Sequence, residues 1–205
     1  MFDRVTIRVS DRAASEHFYD TVLAALGIAK TLSDDRTAEW GDFAIAEADA
    51  DNPVTRRLHI GFVAPSRAEV DEFWRAGIAA GYTDDGAPGP RPQYSEDYYG
   101  GFLLDPDGNS AEGVHHGDLR RGAVVDHLWI RVADVAASKR FYEGVAPQAG
   151  FRLATDLAER ASFDAAPGSF SVVSGQPTEH LHMAFRGSQG AAPLIDPDGN
   201  EVEVG

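Results

Sequence analysis

The sequence contains no cysteine among its 205 residues. Disulfides, thiolate metal sites and cysteine nucleophiles are therefore excluded, and any bound metal must be held by histidine and carboxylate side chains. Basic residues are also scarce, since 18 Lys and Arg face 33 Asp and Glu, for a formal net charge of −15. This balance argues against nucleic acid as a partner, because basic side chains on phosphates supply most of that affinity.

Long apolar segments are missing as well. No stretch approaches the roughly 20 apolar residues of a membrane-spanning helix. The first residues, MFDRVTIR, carry charges where a signal peptide requires an apolar run. We therefore expect no membrane partner and a cytoplasmic location. The hydrophobic fraction of 43% is enough for ordinary globular cores.

One stretch of sequence occurs twice. Residues 5–19, VTIRVSDRAASEHFY, reappear as residues 128–142, LWIRVADVAASKRFY. A repeat of this regularity indicates a duplicated fold. The residue preceding each copy differs, because the position equivalent to Arg4 in the first copy is His127 in the second.

Each repeat begins with a pattern that is typical of a strand followed by a helix and three short strands. Residues 4–9 alternate polar and β-branched side chains, and Asp11 is placed to cap a helix that ends near Gly27. The pattern predicts an α+β fold of four tandem βαβββ units, and the predicted units are residues 1–50, 57–116, 122–176 and 180–205. The last unit is too short for its helix and loop. We expect two domains of paired units, residues 1–117 and 122–205.

Three motifs occur in the same order in both halves. The first is the entry motif ending in Phe-Tyr, the second is His-hydrophobic-x-Phe at residues 59–62 and 182–185, and the third is DPDGNxxE at residues 105–112 and 196–203. Together they resemble the vicinal oxygen chelate superfamily, which includes glyoxalase I, extradiol dioxygenases and bleomycin-resistance proteins. The resemblance implies that paired units form an open cup whose metal ligands project from the first and last strands of the units.

Under this resemblance, the ligand positions of the second half are His127, His182 and Glu203. Two histidines and one carboxylate are the set with which extradiol dioxygenases hold Fe(II) or Mn(II), leaving positions open for substrate and dioxygen. Iron or manganese is therefore the first expectation, with nickel or zinc as further possibilities.

The equivalent positions of the first half are Arg4, His59 and Glu112. Arginine stays protonated and cannot bind a metal, so an ion pair between Arg4 and Glu112 is one expectation for this half. A metal site formed by Glu47, His59 and Glu112 is the alternative.

A loop rich in proline and tyrosine precedes the last strands of the second unit, at residues 84–101. Tyr94 and Tyr98 are its candidate catalytic residues. One interpretation is that the loop covers the cup and that a tyrosine hydroxyl acts as a hydrogen-bond donor or general acid toward substrate oxygen. The alternative is that the rings only pack against the sheet edge.

These observations favour a metal-dependent enzyme that binds a small substrate through vicinal oxygens. The first alternative is a metal-free protein of the bleomycin-resistance type, which sequesters a small molecule or antibiotic. The second is a degenerate paralogue without catalysis. The shortened last unit suggests a homodimer, because a partner chain would restore the missing wall.

Overall fold

The structure is a computed structural model that describes residues 1–117, 122–165, 168–187 and 192–204. The first unit contains β1 (Phe2–Val9), α1 (Arg12–Ala25), β2 (Leu32–Ser33), β3 (Thr37–Trp40) and β4 (Phe43–Glu47). The second contains β5 (Leu58–Val63), α2 (Arg67–Ala79), β6 (Thr83–Pro90), β7 (Tyr99–Leu104) and β8 (Ser110–His115). The third contains β9 (Val125–Val132), α3 (Val135–Ala149), β10 (Arg152–Leu157), β11 (Arg160–Asp164) and β12 (Ser169–Ser174). The fourth contains β13 (His182–Phe185), β14 (Leu194–Ile195) and β15 (Glu201–Glu203).

This element order confirms the predicted α+β class with tandem βαβββ units. Between β13 and β15 the described residues form only the two-residue strand β14, in line with the predicted truncation. The predicted start of α1 agrees with the structure, since the carboxylate of Asp11 accepts a hydrogen bond from the Ala14 amide and caps the helix. No helix among the described residues is long and apolar enough to cross a membrane.

The strands form two sheets, the first built from units 1 and 4 and the second from units 2 and 3. Sheet 1 has the order β14-β15-β13-β1-β4-β3-β2, and sheet 2 has the order β10-β11-β12-β9-β5-β8-β7-β6. The expected pairing of unit 1 with unit 2, and of unit 3 with unit 4, is therefore wrong. Antiparallel contacts between first strands join the units instead, β1 with β13 and β5 with β9. The division of the chain at residues 118–121 stays a prediction, because those residues lie outside the described part.

The stretch predicted as a proline-rich loop contains a strand, which the sequence analysis missed. Residues 83–90 form β6, which pairs with β7 at the edge of sheet 2. Proline lacks a backbone donor and is tolerated in a strand mainly at such an edge. Only residues 91–98 remain as a loop between β6 and β7.

The core lies between the two sheets and is rich in aromatic rings. Phe43 of sheet 1 contacts Phe62 of sheet 2 at a centroid distance of 5.0 Å. Phe170 of sheet 2 contacts Phe185 of sheet 1 at 5.8 Å. Because units from both halves contribute to each sheet and to this core, the duplicated halves are interlocked.

Two buried tyrosine hydroxyls explain why the entry motif and the DPDGN motif occur together. Tyr19 of α1 donates to Asp105 at 2.9 Å, and Tyr142 of α3 donates to Asp196 at the same distance. Each bond connects a helix of one sheet to a turn of the other. Burial raises the pKa of both tyrosines, and the neighbouring carboxylates raise it further, so the hydroxyls keep their protons as donors.

Removing one of these hydroxyls is expected to destabilise the fold. Tyr142→Phe leaves one buried carboxylate oxygen of Asp196 with fewer donors and should lower the free energy of unfolding by about 1 to 3 kcal/mol. Urea denaturation measures the change. Tyr94→Phe, whose ring is 47% exposed, is the matched control and should stay within about 0.5 kcal/mol of the parent protein. Equal stability of the two variants would contradict a structural role for this bond.

Candidate metal centre

Three neighbouring strands of sheet 2 bring together two histidines and a glutamate. Gly61 on β5 lies opposite Glu112 on β8 and opposite His127 on β9. His59 is two residues before Gly61 and therefore projects from the same face of the sheet. One ligand atom from each of His59, Glu112 and His127 can be chosen so that all three lie within 4.8 Å of one another.

The distances between these atoms suit a common metal ion. His59 Nε2 is 2.9 Å from Glu112 Oε2, His127 Nε2 is 3.4 Å from the same oxygen, and the two Nε2 atoms are 3.3 Å apart. Donors bound at about 2.1 Å, with angles of about 90 to 110° at the metal, lie roughly 3.0 to 3.4 Å apart. The three side chains therefore fit a divalent ion on one side and leave its other side to the cavity.

Each of the three donors is oriented by a further hydrogen bond. His127 Nδ1 lies 2.9 Å from Asp126 Oδ2, and His59 Nδ1 lies 3.1 Å from the hydroxyl of Ser110. The Ser110 hydroxyl donates in turn to Asp85 at 2.6 Å, so it accepts the Nδ1 proton of His59. Both imidazoles thus have their protons held at Nδ1, which leaves the Nε2 lone pairs for a metal.

The glutamate is oriented in the same way. The hydroxyl of Tyr98 donates to Glu112 Oε1 at 2.9 Å, while Oε2 faces the two histidines. Burial raises the pKa of the Tyr98 hydroxyl, and the charge of Glu112 raises it further. Tyr98 is therefore a neutral donor in this position, and it fixes which carboxylate oxygen is available as a ligand.

The electrostatics of the site keep the carboxylate charged. Burial raises the pKa of Glu112, but hydrogen bonds with His127 and His59 outweigh this effect and lower it to about 2. Burial lowers the pKa of His127, but hydrogen bonds with Asp126 and Glu112 raise it to about 9. A buried anionic cluster holds a positive charge in its centre, either a proton on His127 or a metal ion.

The cluster lines a cavity of about 1320 Å³, whose wall also includes residues of β6, β7, β11 and β12. Aromatic rings line one part of it. Tyr94 packs against Tyr98 at 5.0 Å and against Trp129 at 5.7 Å. His116 stacks on Tyr98 with an interplanar angle of 5°. The loop at residues 91–98 therefore forms part of the cavity wall. That it covers the cavity, and that Tyr94 or Tyr98 takes part in catalysis, stay predictions.

The set His127, His182 and Glu203 is not brought together. His182 and Glu203 lie on β13 and β15 of sheet 1, where His182 Nε2 contacts Glu203 Oε1 at 3.0 Å. His127 lies in sheet 2 because β9 pairs with β5. Of the five residues predicted as metal ligands, the structure groups His59, Glu112 and His127.

The structure also contradicts the two expectations for the first half, the ion pair between Arg4 and Glu112 and the metal site that includes Glu47, because their residues lie in different sheets. Arg4 lies in sheet 1 and pairs with Glu39 at 2.9 Å, so it does not reach Glu112. Glu47 ends β4 of the same sheet, while His59 and Glu112 lie in sheet 2. Three residues that orient the donors were not predicted from the sequence, namely Asp126, Ser110 and Asp85. Only Asp126 carried a signal, because it directly precedes a predicted ligand at the start of a strand.

Gly61 provides the space in which His127 lies. A Cβ atom at this position would overlap the imidazole of His127. Gly61→Ala is therefore expected to displace the ring and weaken binding of a divalent metal about 10- to 100-fold, the range seen when orienting contacts of a ligand are lost. Gly144→Ala on α3 meets nothing within 4 Å and serves as the control. Titration of the metal-free proteins with zinc and a competing chelator measures both; equal affinities would contradict the close approach.

Comparisons with known proteins agree with this fold. The sequence profile of the Glyoxalase/Bleomycin resistance protein/Dioxygenase superfamily matches residues 1–112, more than half of the chain. A glyoxalase/bleomycin resistance protein from Albidiferax ferrireducens T118 is similar at 33% identity over 57% of this chain and 99% of that one, with a TM-score of 0.51.

A second solved structure is similar over almost the whole chain. Glyoxalase I from Zea mays superposes with a TM-score of 0.64 at 15% identity, covering 98% of this chain and 90% of that one, and this likeness concerns the fold alone. A search of curated proteins finds no match. On the profile match and on the similarity at 33% identity, the chain belongs to the Glyoxalase/Bleomycin resistance protein/Dioxygenase superfamily.

Proposed function

We propose that the protein is a metal-dependent enzyme that acts on a small substrate bound through two vicinal oxygens, with a reaction of the extradiol dioxygenase type. The observation that supports it is the convergence of His59 Nε2, His127 Nε2 and Glu112 Oε2 in the wall of the cavity. Two histidines and one carboxylate on one side of an ion are the ligand set of non-haem iron oxygenases.

The side chains around the cluster have separate tasks in this proposal. Asp126 holds the Nδ1 proton of His127, Ser110 holds that of His59, and Tyr98 holds Oε1 of Glu112. These contacts preorganise the three donors, so little reorganisation is needed when the substrate arrives. When bound, a divalent metal supplies Lewis acidity and open positions for two substrate oxygens.

The aromatic rings that line the cavity, which we call the aromatic wall, provide a surface for the part of the substrate that does not bind the metal. Trp129 is half-buried on β9, two residues from His127, with the ring of Tyr94 across its edge. Phe102 lies beside His59 at a centroid distance of 5.9 Å. A flat, partly apolar substrate such as a catechol would be sandwiched between such rings and shielded from water.

The first test is the metal content of protein purified without a chelator. We expect about one equivalent of iron or manganese per chain, or of nickel or zinc if the reaction is instead an isomerisation of the glyoxalase type. Less than about a tenth of an equivalent, together with no uptake of added metal, would contradict the enzyme proposal. That result would favour the metal-free binding protein. Oxygen consumption with catechols, measured after anaerobic loading with Fe(II), separates dioxygenase from isomerase chemistry.

A further inference from the structure

The third unit contributes side chains from neighbouring strands to one wall of the cavity, and β9 is the strand that contains His127. His127, Trp129 and Arg131 alternate along the strand and project from the same face. Arg131 lies opposite Val173 on β12, and Val173 lies opposite Arg160 on β11. Directly opposite residues of neighbouring strands also share a face. Arg131 and Arg160 therefore belong to one row across three strands, and both line the cavity.

This row lies at a defined distance from the metal cluster. Arg131 is four positions after His127, which corresponds to about 13 Å along the strand. Trp129 lies between them. The guanidinium of Arg160 stacks over the Trp129 ring at 5.7 Å, so its charge is held at the aromatic wall. The cavity thus runs from the metal cluster, across a flat aromatic surface, to a pair of arginines.

The two arginines contact neutral groups of the protein, since Arg131 Nη1 donates to the backbone oxygen of Arg57 at 3.2 Å and Arg160 lies over Trp129. Among the described residues, neither Arg131 nor Arg160 forms an ion pair with a carboxylate, although the chain carries 33 acidic and 18 basic residues. Arg152 of the neighbouring strand, by contrast, pairs with Asp164 at 3.0 Å. The Nε atom of Arg160 is buried without a hydrogen-bond partner. A buried donor of this kind costs stability unless a ligand satisfies it.

The cavity is therefore polarised along its length. Glu112 and Asp126 lie at the end that suits a metal ion, and Arg131 and Arg160 lie at the other end. A net charge of −15 would repel an anionic substrate from most of the surface. Two guanidinium groups in one row, with no carboxylate partner in the part of the chain that the structure describes, reverse that preference locally. Their fork of donors matches a carboxylate or phosphate.

We propose that Arg131 and Arg160 form an anion subsite, so that the substrate carries vicinal oxygens at one end and a carboxylate or phosphate at the other, with a planar part between them on Trp129. This inference rests on the proposed function, because the metal cluster defines where the vicinal oxygens bind. Arg131 and Arg160 are specificity residues in this arrangement, and they do not contact the reacting atoms.

The test compares one charged and one neutral probe of the same length. Calorimetry measures the binding of 3-(3,4-dihydroxyphenyl)propanoate and of its methyl ester to the zinc-loaded protein, in which no oxidation interferes. We expect the acid to bind at least about tenfold more tightly than the ester, because a charge-assisted hydrogen bond distinguishes them. Arg160→Gln and Arg131→Gln should each reduce this ratio to about threefold or less, whereas Arg160→Lys keeps the charge and most of the preference.

The control variant is Arg140→Gln, which makes the same change of charge on the exposed face of α3, away from the cavity. It should leave the acid-to-ester ratio unchanged. Equal binding of acid and ester to the parent protein would overturn the anion subsite and leave the metal site intact. Failure of both probes and of catechol itself to bind would overturn the proposed function instead. A phosphonate of the same length that binds more tightly than the carboxylate would support the subsite and identify it as a phosphate site.

Discussion

We expect His127→Ala to lose bound divalent metal, with an affinity at least about 100-fold below that of the parent protein. The substitution removes one of three protein ligands. It also leaves Asp126 and Glu112 buried without the imidazole that lies between them. His59→Ala and Glu112→Gln are expected to have effects of the same size, because each removes a donor from the same cluster. Metal content after dialysis and competition with a chelator give the measurement.

The duplicated fold offers a matched control for this experiment. His182→Ala and Glu203→Gln change the same residue types at equivalent strand positions of the other sheet, where the two side chains contact each other at 3.0 Å. Both variants should retain their metal. Loss of metal on His182→Ala with retention on His59→Ala would contradict the assignment and would support the ligand set expected from sequence alone. Metal retained in every variant would place the ion elsewhere.

The sequence was sufficient to predict the fold because its signals are local. The cap at Asp11, the left-handed Gly27 after α1 and the DPDGN turn each depend on residues within a few positions. The residue types of the centre were also predictable, since the motifs marked His59, Glu112 and His127 individually. These features are repeated in both halves, and the repeat made them recognisable.

The grouping of ligands depends on which units pair, and this information is not local. All four units begin with similar strands, so β9 is compatible with either β5 or β13 as its neighbour by pattern alone. The strand that pairs with β9 is selected by the packing of whole sheet faces. An example is the packing of Phe62 from β5 against Tyr19 and Phe43 of the first unit. One change of neighbour replaces His182 and Glu203 by His59 and Glu112 as the partners of His127.

The anion subsite was hidden from sequence reasoning for the same reason. Arg131 belongs to the repeated entry stretch as the counterpart of Arg8, but Arg160, separated from it by 28 residues, lies outside any motif. They become neighbours only because β9, β12 and β11 lie side by side with Val173 between them. In a chain with this excess of acid, the lack of a carboxylate partner among the described residues is a property that only the folded arrangement shows.

We expect Phe170→Ala to destabilise the protein by about 3 to 5 kcal/mol without removing its metal. The ring is fully buried and lies between the sheets, where it contacts Phe151 at 5.2 Å, Phe185 at 5.8 Å and Phe2 at 6.5 Å. Urea denaturation measures the loss, with Leu157→Ala, 55% exposed on the edge strand β10, as the control near zero.

This substitution tests the interlocked arrangement independently of the metal centre. Phe170 lies on β12 between Ser169 and Ser171, so its side chain projects from the face opposite to the cavity. Metal content of the folded fraction should therefore equal that of the parent, whereas His127→Ala should lose metal with little loss of the aromatic core. If Phe170→Ala destabilised by less than about 1 kcal/mol, the contacts between unit 3 and units 1 and 4 would be weaker than this packing requires. The sheet assignment that groups His127 with His59 would then lose its energetic basis, because the same interlocked packing holds β9 beside β5.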